Sequence, residues 1–212
     1  MFIGYVYSPR QLRATIKVGG SGGGAPPVPD LYSLTTLHPA IVNIADLEFD
    51  GTKYIDLNYV PKAGTKVDIM FRQTAYQKFL FGSRTSGSSS DSLGFCAYSS
   101  QIYAQYGNSQ GATSYTMSLN ENHFLTISKD GAFLDGYNLK SFDSARFVQS
   151  NLKMFLGSRN QNGTADNRMF TGMVYSMMIY ENDSMIMALY PHNNGTVNGM
   201  YDIVGDNFYP LQ

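Results

Sequence analysis

Lys153-Met-Phe-Leu-Gly-Ser-Arg159, Phe170-Thr-Gly-Met-Val-Tyr-Ser-Met-Met-Ile-Tyr180, Tyr190-Pro191 and Gly199-Met-Tyr-Asp202 follow one another through the last third of the chain. They read as a non-polar strand, a polar loop, a long buried strand, a turn, a further strand and a closing Tyr-Asp hairpin. Short apolar runs broken by Gly and polar turn residues are the pattern of packed sheets. This order points to an all-β sandwich.

The same grammar extends upstream. Thr65–Arg72 alternates Val67, Ile69 and Phe71 on one face with Lys66, Asp68 and Arg72 on the other, as a half-exposed strand does. Leu47–Asp50 and Tyr54–Leu57 flank Gly51 as a strand pair around a turn. Lys78–Gly82, Leu93–Tyr98, Gln101–Gln105 and Tyr115–Leu119 read as further strands, and Arg84–Ser92 as a Ser/Gly loop. His123–Ser128 meets Ala132–Asp135 across Lys129-Asp-Gly131, where Asp-Gly between apolar runs signals a hairpin. No segment carries a capped helical period, and only Ser141–Gln149 suits a single helical turn. Phe81-Gly-Ser-Arg84 and Leu156-Gly-Ser-Arg159 echo each other. The halves do not otherwise align, so the echo reads as glycine ending a core strand while Arg reaches over the sheet edge.

Ahead of this region lies the clearest shift in composition. Phe2–Tyr7 and Ala14–Val18 are strand-like and are followed by Gly19–Gly24 and then Ala25-Pro-Pro-Val-Pro29. Glycine favours flexibility and proline an extended spacer. Residues 1–30 therefore read as an N-terminal attachment arm, and residues 31–212 as the sandwich domain. Two short strands cannot stand alone, so the arm is expected to pair with a sheet edge through Phe2, Ile3, Tyr5, Val6, Tyr7, Ile16 and Val18. The plainer reading is a glycine-rich surface loop within one fold.

Composition narrows the function. The 212 residues suffice for one sizeable core. Only 15% are charged and the net charge is −1, so no basic field draws a nucleic acid. No run of about 18 apolar residues marks a membrane helix. The first residues lack a basic start and a long apolar stretch, so synthesis in a host cytoplasm without a secretory leader is expected. Cys96, the sole cysteine, allows no internal disulfide and sits in an apolar strand as a small buried hydrophobe.

These landmarks together resemble the laminin-G-like, concanavalin A-like sandwich domains, above all those of bacterial surface proteins and bacteriophage structural proteins. Phe49–Leu57 resembles the opening strand pair, Lys78–Arg84 a sheet-crossing strand and Leu125–Gly136 the central hairpin. Phe155–Gly163, Phe170–Ile186 and Gly199–Tyr209 are similar to the closing strands. The likeness covers residues 45–212 and implies a jelly-roll of two antiparallel sheets. It does not imply one function, because this fold hosts lectins, adhesion modules, glycosidases and virion parts. It also implies a calcium ion at the sandwich rim as an option, for which Asp166 and Asp183 are the candidate ligands, although such loops are more often solvated turns. No other cofactor is expected.

Catalytic chemistry finds little footing. Glycosidases need two carboxylates across the sugar bond. Glu48 and Asp50 fall on one strand face, but Gly51 ends the strand and no further acid follows, so they read as solvent-facing acids. His38, His123 and His192 lack ligand spacing, and no nucleophile elbow or phosphate loop is present. Asn162-Gly-Thr164, Asn182-Asp-Ser184 and Asn194-Gly-Thr196 match glycosylation sequons but read as turns. Tyr98, Tyr103, Tyr106 and Tyr115 lie in a Gln/Asn-rich stretch suited to stacking on sugars, to a wet interface, or simply to sheet packing.

The expectation drawn from all this is a non-enzymatic bacteriophage virion protein, as a capsid decoration, head-fibre or tail-fibre component. It would be anchored to other virion proteins by its arm, assembled as a homo-oligomer and exposed to surface glycans. The alternative is a secreted bacterial carbohydrate-binding or adhesion module.

Overall fold

The structure, a computed structural model, describes residues 44–85, 90–142 and 146–212. The expected arm, with Phe2, Ile3, Tyr5, Val6, Tyr7, Ile16 and Val18, lies outside the described residues. Among the described residues there is no helix, and the strands form two sheets.

The first sheet is built on β3 (Thr65–Gln73) and β14 (Thr171–Glu181), the long strands whose alternation is plainest in the sequence. β8 (Asn122–Ser128), β9 (Gly131–Leu134) and β10 (Tyr137–Ser141) extend it on one side. On the other side stand β15 (Ser184–Asn193), β16 (Asn198–Asp202) and β17 (Asn207–Pro210), with β1 (Leu47–Asp50) paired to the start of β14. The second sheet runs from β4 (Lys78–Arg84) through β5 (Leu93–Ala97) and β6 (Ile102–Tyr106) to β7 (Ser109–Thr113). Beside β4 lie β11 (Phe155–Leu156), β12 (Asn160–Gln161) and β13 (Thr164–Ala165), and β2 (Ile55–Asp56) pairs β11.

Val67, Ile69 and Phe71 of β3 face Phe81, Leu93 and Phe95 of the second sheet in one continuous core, all fully buried. Phe71 stands at its centre, with ring centroids 5.9 Å from Phe95 and 6.2 Å from Phe170. The two sheets are also joined at one margin, where Gln212 N donates to Tyr54 O at 2.9 Å.

The turns are carried by residues that accept positive φ. Asp135-Gly136 (φ 51° and 83°) joins β9 to β10, Asn162-Gly163 (54° and 87°) joins β12 to β13, and Asn182-Asp183 (47° and 66°) joins β14 to β15. Positive φ at both central residues matches the right-handed twist of the flanking strands. The hairpin expected at Lys129–Gly131 is present, but its central residues, Lys129 and Asp130, keep negative φ. The positive-φ Asp-Gly turn is the next one along.

Three expectations change. β1 and β2 are not a pair: they lie in different sheets, because Gly51 carries the chain from one layer to the other. Tyr115–Leu119 forms no strand. The described part of Ser141–Gln149 is not helical, and residues 143–145 lie outside the description. The Gly-Ser-Arg echo has a physical meaning, since its two copies meet. Phe155 and Leu156 pair antiparallel with Gly82 and Phe81, then the chain turns and Asn160 and Gln161 pair parallel with Ser83 and Arg84. Gly157 makes that turn possible at φ 82°, where a Cβ would lie 2.3 Å from the Phe49 ring.

His123 is buried beside Phe71, with Nδ1 2.6 Å from Asp135 Oδ2 and Nε2 2.8 Å from Ser118 O. Both partners only accept, so both ring nitrogens donate and the imidazole is held as the cation. Burial pulls its pKa down, but the Asp135 carboxylate and the Ser118 carbonyl outweigh this and raise it above 6.5. Its contribution to stability is therefore complete below about pH 6.5 and lost as pH rises through the higher folded value. Thermal melts across this range are expected to show a fall in Tm that His123→Phe removes. An unchanged slope in the variant would assign the fall to other groups.

Candidate functional site

The second sheet presents an outer face with unusual chemistry. Along β5 and β6 the residues that point away from the core include Cys96 and its cross-strand partner Tyr103. Phe79 of β4 pairs with Cys96 on the same face and is 1% exposed although it stands outside the main core. Two guanidinium groups bury it. Arg159 lies over the ring at 4.1 Å and Arg168 at 4.6 Å from the centroid.

Local backbone fixes both arginines. After Gly157 the chain crosses the sheet edge, and Asp166 N donates to Arg159 O at 2.8 Å, closing a loop around β12 and β13. Phe79 N donates to Arg168 O at 2.8 Å, which seats the second arginine directly above β4. Gly82 lets β4 approach β5 closely, since a Cβ there would lie 2.7 Å from Leu93 O.

Asp166 ties the two cations together. Its Oδ2 accepts from Arg159 Nη2 at 2.8 Å and Arg168 Nη2 at 3.0 Å, and its Oδ1 accepts from Arg168 Nε at 3.1 Å and Arg168 N at 3.0 Å. Burial pushes the Asp166 carboxyl up, but the bonds from Arg168 and the charge of Arg159 outweigh it and hold it below the usual carboxylate range. Burial holds Arg159 below its usual value. Arg168 Nη1 also donates to Tyr98 Oη at 3.0 Å. Burial raises the Tyr98 hydroxyl, so it stays protonated, and it also meets the Cys96 thiol. Burial likewise pushes the Cys96 thiol up to about 11.

The group thus comprises two guanidiniums against one carboxylate, a surplus of one positive charge. Arg159 and Asp166 side chains are each 6% exposed, whereas Arg168 is 38% exposed and faces outward beside Tyr98. The arrangement can bind an anion through Arg168 and stack or hydrogen-bond through Tyr98 and Tyr103.

The four candidate tyrosines separate. Tyr98 and Tyr103 reach this face. Tyr106 points inward, is 1% exposed, stacks on Phe142 and bonds Ala63 O. It is a core residue, because its strand position has the opposite parity to Tyr103. Tyr115 packs against Tyr137, whose strand belongs to the other sheet. Asp166 does not suit calcium, since both oxygens are taken by arginines whose charge repels a cation. Asp183 lies in the exposed β14–β15 turn, and among the described residues no three His, Cys, Asp or Glu side chains gather. Glu48 and Asp50 point to solvent, Asp50 bonding only its own turn at Thr52. Arg159 was visible in the sequence only as the end of the Gly-Ser-Arg echo, and Arg168 was not singled out at all. Nothing local paired them with Asp166.

No protein-family model matches the chain. No curated protein matches it either. Solved structures do. A proposed carbohydrate-binding protein of Bacteroides ovatus superposes with a TM-score of 0.56 at 10% identity, over 79% of this chain and 57% of that one. The NanB sialidase of Streptococcus pneumoniae gives 0.50 at 15% identity, over 66% of this chain and 26% of that one. Mouse laminin α1 domains LG4-5 give 0.49 at 17% identity, over 63% and 40%. The chain therefore spans just over half of the first of these proteins and about a quarter of the second. With the two-sheet topology, the first two of these likenesses show the fold to be a jelly-roll sandwich.

Proposed function

We propose that this chain is a non-catalytic carbohydrate-binding domain that holds an acidic glycan on the outer face of its second sheet. One observation carries the reading: the outward guanidinium of Arg168, in charge surplus and bonded to Tyr98, on the sheet face that Tyr103 shares. A sugar carboxylate or sulfate would meet Arg168, and a pyranose ring would lie against the tyrosines. The Bacteroides neighbour, described as carbohydrate-binding, supports the class of ligand. A non-catalytic role is supported by the solvent-facing placement of Glu48 and Asp50 beside the turn at Gly51. Of the two sequence-based expectations, the carbohydrate-binding module is the better supported. A virion role rests on residues 1–30, outside the described residues, and finds no support in the comparisons.

The test is binding of 3′-sialyllactose, glucuronic-acid oligosaccharides and lactose by calorimetry. Acidic sugars are expected to bind more tightly than lactose. Arg168→Ala is expected to weaken them at least about tenfold, the scale of a charged hydrogen bond, at temperatures where the variant remains folded, since Arg168 also covers Phe79 and bonds Asp166. Equal affinity of wild type and Arg168→Ala for every acidic sugar would rule the site out.

A further inference from the structure

On the outer face of the first sheet, away from Arg168, three connections converge on a cleft of about 510 Å³. They are the approach to β3 at Gly64, the β8–β9 turn at Lys129-Asp130, and the β14–β15 turn at Asn182-Asp183. The turns are fixed: Asn182 N donates to Gly64 O at 3.1 Å, and Asp130 N donates to Ser128 Oγ at 3.2 Å. The volume lies in the range of small-molecule sites.

The lining has a specific chemistry. Phe133 shares the outer face with Thr126, its partner across the strands, and its half-buried ring folds over Gly131. It offers one apolar platform. Lys66 is held in place, 2.9 Å from Asp68 and over the Tyr180 ring at 4.7 Å. Lys66 and Lys129 balance Asp130 and Asp183, and Asp68 behind them tips the sum negative. An anion gains nothing here. A metal ion would compete with Lys129 for Asp130 and with Lys66 and Thr126 for Asp68.

Alternating carboxylates, ammoniums and an amide around an aromatic floor suit a ligand whose hydroxyls each donate and accept while its ring carbons rest on a flat apolar surface. We infer that this cleft is a second binding site, for a neutral pyranose. It is independent of the Arg168 face and lies on the opposite sheet, so one copy of the domain would hold two glycan segments at once.

The experiment uses the full ¹⁵N-labelled chain, titrated separately with glucose, galactose, mannose and N-acetylglucosamine at high millimolar concentration. At least one sugar is expected to shift the amides of 64–66, 128–131 and 182–184, with a Kd on the order of 1 mM. The same shifts are expected in Arg168→Ala, so failure of the acidic-glycan reading would leave them intact. They should be reduced at least about tenfold in affinity by the Asp130→Asn, Asp183→Asn double variant, which keeps residues tolerant of the turn conformation. Phe133→Leu, which keeps apolar volume but removes the ring, should weaken them separately. The inference is overturned if none of the four sugars moves these amides in the wild type, or if the shifts persist unchanged in both variants.

Discussion

Replacing Asp166 by alanine is expected to cost the fold about 3–5 kcal/mol, the range for removing one partner from a buried ion pair. The reason is the company it leaves behind. Arg159, 6% exposed and stacked on Phe79, would remain charged with no carboxylate in reach, and Arg168 would lose three hydrogen bonds. Urea unfolding should show a lower midpoint with an unchanged slope. A loss under about 1 kcal/mol, typical of exposed pairs, would show that water already serves these guanidiniums. The sign with pH follows from the depressed carboxyl. Its contribution is present above about pH 3.8 and disappears as pH falls through the lower folded value. Because the same carboxylate orients Arg168, the variant should also lose acidic-sugar binding under conditions where it remains folded.

Phe71→Ala is expected to cost a similar amount, about 3–5 kcal/mol, for a different reason. Phe71 is fully buried where the sheets meet and touches aromatic rings contributed by both layers. Truncation leaves a cavity that flanking strands, fixed by their ladders, cannot close. A fall in Tm of about 10 °C or more should follow for a domain of this size. A cost below about 1.5 kcal/mol, as for volume-conserving swaps, would mean that Phe95 and Phe170 collapse into the space. The two variants separate the layers of the molecule: the first weakens the outer charge cluster, the second the apolar interior.

What could be read from the sequence followed the physics of each feature. Period-two alternation in Thr65–Arg72 and the order of the closing strands are local, so they exposed the sandwich directly. Pairing is not local. Phe49 and Ile55 are six residues apart and lie in different sheets, and no local pattern records which strand each will meet. Ser109–Thr113 escaped notice as a strand because Gly111 interrupts it and it lacks an apolar face. Tyr103 and Tyr106 looked equivalent in composition, yet strand parity sends one to the surface and the other to the core. The Arg159–Asp166–Arg168 group was the least legible part. Arg159 read as the end of an echo, Asp166 as a loop acid and Arg168 went unread; only the return of the chain beside β4 places the two arginines over Phe79.

The raised thiol of Cys96 has a practical corollary. Shielded beneath the Phe79 side of the sheet and protonated at neutral pH, it will not compete for maleimide or iodoacetamide reagents. Since the chain has no other cysteine, a single substitution at an exposed position such as Ser99 would carry one fluorophore next to Tyr98 without first removing the native sulfur.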